Sequence, residues 1–507
     1  MSSRKRWSFN TGSLIAYFAI LVLAFLPAVN AQTTSIQTLL QPSQSPLVTV
    51  RILVSTGSAF DPEGKAGLAS LTAAILAEGG SQRLSYDEII KRMYPLATSF
   101  SAQVDKEMTV FTGTTHVDNL QKYYQLIRDM LLNPGFREDD FKRLKEDALN
   151  YLKVSLREGN DEELGKEELY ALIYQDHPYG HHNLGRISEL ERLTLDDLKS
   201  FYASNYTRAN LVVGLAGGFP AKFPDQIVAD LEGLPTGQPN RIKIPPPKLD
   251  SGLHIQIVQR DTRSTAFSLG FPINVKRGDP DYPALALVAS YFGQHRSSNS
   301  HLYQRLREAR GLNYGDYSYI EYFPRGMFQF QPDPNLARQQ QIFQIWIRPV
   351  PPSQGMFTLR ATLYEYDKLV REGLSKEAFE STREFLSKFV DVLLQTPGAA
   401  LGYALDSRYY GIDDYRAYMK KGLASLTLEQ VNKAIKKHLK SDSMRIVIVA
   451  KDAEGLKESI LSGKPSSITY NSQKPEELLA EDKLIEKYPI STKPEWVKIV
   501  PVDQVFN

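Results

Sequence analysis

The chain has 507 residues, 42% hydrophobic and 23% charged, which is ordinary for a globular protein and too long for one typical core. A formal net charge of +2, with no dense Lys/Arg stripe beyond the extreme N-terminus, argues against nucleic acid as the main partner. The absence of cysteine excludes disulfides, thiolate metal sites and a cysteine nucleophile.

The N-terminus reads as a secretory signal (residues 1–31). Arg4, Lys5 and Arg6 precede an apolar run over 14–26, then Pro27 and the small-residue pattern Val29-Asn30-Ala31, with cleavage expected after Ala31. The alternative is a membrane anchor formed by residues 13–31. No later stretch is apolar enough to span, so the body is read as soluble, and an exported protein without cysteine fits a bacterial periplasm.

Beyond the signal, residues 42–240 and 250–455 read as two similar units, followed by a tail over 456–507. An apolar strand at 48–54 leads through Asp61-Pro62 into a helix over 67–77. A second strand at 266–273 leads through Asp279-Pro280 into a helix over 284–292. The run 190–198 is echoed by 423–431, each placing a Thr before acidic or amide residues at a helix start and each followed by a strand. The echoes point to one duplicated unit. Residues 235–251, with Pro245-Pro246-Pro247, form a stiff extended linker. Helical spacing covers 123–132, 141–156 and 376–393, while 109–114 and 358–363 read as strands, and 499–502 as an edge strand in the tail. No Gly-rich phosphate loop follows a strand, which argues against a nucleotide site.

Several short segments, modest alone, are specific together and in order: Gly67-Leu68-Ala69, residues 102–111, His177-Pro178-Tyr179-Gly180, residues 193–207, and 306–314. On these the chain resembles the pitrilysin/insulinase-type zinc peptidases over roughly 48–450. The resemblance implies an α+β fold: two homologous domains, each a mainly antiparallel sheet faced by helices, together half of a clamshell. A full chamber then requires a second chain.

In such relatives an HxxEH helix brings two His to one Zn²⁺ and a Glu to its water, and a further Glu ligand follows on a later helix. Here those positions hold Ser70, Ala73 and Ala74, with the later ligand falling near Asn150 or Tyr151. Alanine has no lone pair and serine is a poor zinc ligand, so no metal residue carries over and no cofactor is expected in this chain. A relocated site at His177, His181 and His182 is the weaker alternative, because Pro178 and Gly180 interrupt any helix that would align the first two. The family's Arg–Tyr pair is intact as Arg307 and Tyr314, which the resemblance assigns to gripping substrate and stabilising the tetrahedral intermediate. Arg310 reads as a solvated helix charge.

The leading expectation is a zinc-free subunit of a heterodimeric periplasmic metallopeptidase, inactive alone, whose HxxEH-bearing partner holds the zinc and whose substrates are peptides or unfolded polypeptides. The alternative is a non-enzymatic scaffold or peptide-binding protein of the same fold, which would be favoured by a stable self-dimer.

Overall fold

The computed structural model describes residues 36–507 except 241, 325, 327, 328, 330 and 441; the signal segment lies outside the described residues. Among the described residues no helix is long and apolar enough to cross a membrane.

Among the described residues eleven strands form two sheets: β1 (Gln37–Pro42), β2 (Leu47–Val54), β3 (Ser101–Val104), β4 (Thr109–His116), β5 (Leu211–Gly217), β6 (His254–Gln259), β7 (Thr265–Ile273), β8 (Gly315–Tyr319), β9 (Gln341–Val350), β10 (Arg445–Ala450) and β11 (Val497–Pro501). The first sheet runs β1-β5-β2-β4-β3 and the second β11-β6-β10-β7-β9-β8. Without β11, the two orders are the same when β6 to β10 are set against β1 to β5. The pairing directions agree as well: β1 with β5 and β6 with β10 are parallel, and the remaining equivalent pairs are antiparallel. The duplication expected from the sequence echoes is therefore a duplicated sheet. Its two Thr starts are equivalent as well. Thr194 accepts from Asp197 N at 3.3 Å and Thr427 from Gln430 N at 3.2 Å, each closing a capping box on the helix that feeds β5 or β10.

The apolar runs of β2, β5, β7 and β10 are buried because helices cover both faces. One cover on each sheet comes from the other half. Helix Asp161–Ile173 packs on β7 and β10, while helix Pro397–Tyr410 packs on β5 and β1. Close approach on β10 is eased by a glycine: a Cβ on Gly165 would stand 3.3 Å from a Val449 methyl. The seam is polar. Asp105 accepts from Arg338 through two bonds of 2.7 and 2.5 Å, and the same guanidinium lies 3.6 Å from the centre of the Tyr322 ring. Glu107 accepts from Gln339 N and Nε2 at 2.7 and 2.6 Å and from the Tyr409 hydroxyl at 2.7 Å.

The tail adds β11 to the free edge of β6 in parallel register, so 499–502 begins in an edge strand as expected. Two expectations are corrected. Residues 358–363 lie within the helix Gly355–Glu372, not in a strand. Every one of them is buried, Arg360 included, so no exposed face marks the helix in that short window, and Thr358 and Thr362 return their hydroxyls to carbonyls four residues back at 2.9 Å. Arg310 is not solvated: it is buried against the tail helix Glu476–Ile485, with Asp482 at 2.8 Å and Glu481 at 2.7 Å.

Candidate functional site

The helix Leu68–Glu78 is set by its entry. Gly67 takes φ +99°, and the Asp61 carboxylate accepts from Gly67 N and Ala69 N at 2.7 Å each, satisfying free donors of the first turn. Burial raises the Asp61 carboxyl to about 7 in spite of those donors. One turn in, the Ser70 hydroxyl donates to the Asn183 carbonyl at 2.5 Å; Ala73 is buried and Ala74 partly so. The helix Glu138–Asn150 then loosens into a π-helical turn, Tyr151–Leu156, at the place where the family's later ligand would stand. Ser70, Ala73, Ala74 and Tyr151 share one pocket of about 470 Å³. The edge strand β3, Glu163 and Glu167 of the crossing helix, His182, and Tyr322 and Leu336 of the second half complete its wall.

This donor set does not fit zinc. The hydroxyl at position 70 is committed to a backbone carbonyl, the other two positions offer methyl groups, and Glu163 and Glu167 lie against Lys166. Glu163 pairs with Lys166, whose Nζ also lies 4.0 Å from Glu167. Among the described residues no three His, Asp or Glu side chains are grouped to hold a metal ion.

Nor do His177, His181 and His182 converge. The chain turns through Tyr174–His182 without a helix, and each imidazole finds a separate local partner. His177 Nε2 lies 2.8 Å from the Pro245 carbonyl, His181 Nδ1 lies 2.9 Å from the His182 carbonyl, and His182 Nδ1 accepts from Leu184 N at 3.0 Å. Burial and then the charge of Lys106 push His181 and His182 both down to about 3, so they are neutral at pH 7. Lys106, itself lowered to about 7 by burial and by Arg338, donates to the His181 carbonyl and anchors this turn.

Arg307 and Tyr314 stand apart from that pocket and together with each other. Arg307 lies on a second π-helical turn, Tyr303–Glu308. Gly311, at φ +66°, then reverses the chain toward β8. The guanidinium sits 4.7 Å from the Tyr303 ring centre and 4.4 Å from that of Tyr314, and its Nη1 donates to the Tyr314 carbonyl at 2.8 Å. The Tyr314 side chain is open, the residue 63% exposed. Beneath the pair Asp316 is fully buried, its carboxyl raised to about 7 by burial, and Asn313 donates to it at 2.5 Å. Tyr303, Asp316 and the tail acids were not legible as site residues. Tyr303 alone carried a signal, an aromatic four residues before the arginine on one helix face.

The geometry defines two similar sheet-plus-helix halves, a pocket lined by Ser70, Ala73 and Ala74, and, outside that pocket, an assembled Arg307–Tyr314 pair with the tyrosine exposed. Residues 37–186 match the profile of insulinase (peptidase family M16), and residues 192–386 match that of the peptidase M16 inactive domain. The chain belongs to peptidase family M16, as an inactive-type member. An uncharacterized zinc protease of Rickettsia bellii is 26% identical over 288 residues, covering 55% of this chain and 66% of that protein, so the match spans just under two thirds of the relative. The peptidase M16 inactive domain from Pseudomonas fluorescens superposes with TM-score 0.69 at 25% identity, covering 82% of this chain and 95% of that one. The periplasmic protease PqqL of Escherichia coli shares the fold at TM-score 0.65 and 12% identity; 91% of this chain matches 50% of its length.

Proposed function

We propose that this chain is the non-catalytic subunit of a two-chain peptidase exported to the bacterial periplasm. The partner is a homologue bearing HxxEH, and it holds the zinc. This chain contributes half of the chamber and brings Arg307 and Tyr314 to the partner's metal site. The observation that carries this reading is the separation of the two features: the chain's own metal helix is packed with Ser70, Ala73 and Ala74, whereas the Arg–Tyr pair is assembled, exposed and remote from that helix.

A guanidinium and a phenol hydroxyl are directed donors suited to a carbonyl oxygen developing negative charge, and they are effective only when aimed at a metal-bound water's target. Substrates are peptides or unfolded polypeptides. Among the described residues β3 pairs with β4 alone, so its other edge offers backbone groups to an extended chain laid along the pocket. Purified alone, the chain contains no stoichiometric zinc and cleaves nothing; mixed with the HxxEH homologue from the same genome, it restores cleavage of a quenched fluorescent peptide. Zinc in the isolated chain, or a stable self-dimer that never associates with such a homologue, would favour a relocated metal site or a scaffold respectively.

A further inference from the structure

The turn that carries Arg307 is flanked by cations that reach the C-terminal segment. A π-helical turn is poorly bonded by its own backbone and persists where the surroundings hold it. Around Tyr303–Glu308 the holding groups come from the tail. Arg310, fully buried, donates through Nε to Asp482 at 2.8 Å and through Nη2 to Glu481 at 2.7 Å. Arg305, on the other side of Arg307, reaches Glu481 as well, while its Nε donates to Glu365 at 2.8 Å. Lys474 Nζ donates to the Ala309 carbonyl at 2.7 Å, and the Tyr470 hydroxyl donates to Asp482 at 2.6 Å. The acids of the helix Glu476–Ile485 thus grip cations on both flanks of Arg307 without touching it. The other π-helical turn among the described residues, Tyr151–Leu156 at the converted metal pocket, is held in the same way. Arg157, at its end, donates through Nε to the Val505 carbonyl at 2.7 Å and through Nη2 to Asn507 at 3.0 Å.

We propose that the C-terminal segment is a built-in brace in which Glu481 and Asp482 are positioning residues for Arg307 and Tyr314, while the stretch 505–507 fixes the turn at the pocket. Buried guanidinium–carboxylate bonds are directional, and removing one partner leaves a charge that the turn must rearrange to solvate. The positioning role in catalysis rests on the two-chain peptidase reading; the mechanical role does not.

Hydrogen exchange on the full-length chain tests it. Glu481→Gln with Asp482→Asn speeds exchange of residues 303–314 by about tenfold or more and leaves 151–157 and the first sheet unchanged. Arg157→Ala does the reverse. Lys368→Gln, which removes a 3.6 Å contact on the far side of Glu481, changes neither turn. Should the double variant fail to fold, Glu481→Gln alone keeps the Arg310–Asp482 bond and carries the same expectation. Unchanged exchange over 303–314, or acceleration spread evenly through the chain, overturns the brace. In the reconstituted enzyme Glu481→Gln lowers kcat with KM unchanged. If the turn loosens as stated but no wild-type mixture cleaves peptide, the brace stands and the peptidase reading falls.

Discussion

Arg307 and Tyr314 form a closed pair: the guanidinium lies 4.4 Å from the phenol ring centre and donates to the Tyr314 carbonyl at 2.8 Å. The pair is preassembled in the single chain, and the proposed two-chain peptidase brings a reacting carbonyl and a partner's metal to it. In the reconstituted enzyme, Arg307→Ala lowers kcat by about 10²–10³, the usual cost of losing an oxyanion donor, with KM little changed. Tyr314→Phe keeps the stacked ring and loses the hydroxyl, and falls in the same direction. Steady-state kinetics on the two variants check this, and urea melts of each variant alone remain within about 0.5 kcal/mol of wild type because the site is at the surface.

Ala73 is fully buried in the converted metal helix. Ala73→Glu restores the family's general base in type but adds a carboxylate to a pocket wall that already carries Glu78, Glu163 and Glu167. Stability falls by about 2–4 kcal/mol, measured as a shifted denaturation midpoint at constant slope, and no zinc is gained.

Arg338 and Asp105 tie the second half to the first through a buried bidentate bond. Arg338→Ala takes the guanidinium from buried Asp105, leaving it the Asn183 amide at 3.2 Å, and costs about 3–5 kcal/mol. Equilibrium unfolding reads the loss, and Asp105→Asn added to that variant recovers part of it.

Much of this fold was legible because the duplication writes the same signals twice. The Thr194 and Thr427 caps, the strands that follow them and the helices beside β2 and β7 all obey local rules. What escaped is set by tertiary placement. Residues 358–363 look like a strand because a helix buried on all sides loses its amphipathic period. Arg310 looks like a surface charge because its partners lie more than 170 residues away in sequence. The loss at Ser70, Ala73 and Ala74 was readable from the residues alone, since methyl groups cannot ligate; that the positions now line a pocket shared with Tyr322 and Leu336 was not, because no local pattern brings a loop of the second half there.

His182 is held neutral, at about 3, chiefly by burial. A folded pKa below the unfolded value near 6.5 gives stability that is present above pH 6.5 and lost as pH falls toward 3. Between pH 6.5 and 5.0 that loss is about 2 kcal/mol for one imidazole. Asp61, raised to about 7, works in the opposite direction, gaining as pH falls from 7 toward 4, and His181 and Asp316 add to the two sides in turn. Comparing His182→Gln with wild type isolates the imidazole: the variant loses less stability between pH 7.5 and pH 5.0 in urea titrations.

The account stands most directly on peptide cleavage by the reconstituted pair. Hydrolysis of a quenched fluorescent peptide is followed for this chain alone, for its HxxEH homologue alone, and for mixtures made with wild-type or Arg307→Ala chain. The account predicts full cleavage only in the wild-type mixture, and a rate lower by two orders of magnitude or so with Arg307→Ala. Cleavage by this chain alone, or an Arg307→Ala mixture as fast as wild type, would contradict it.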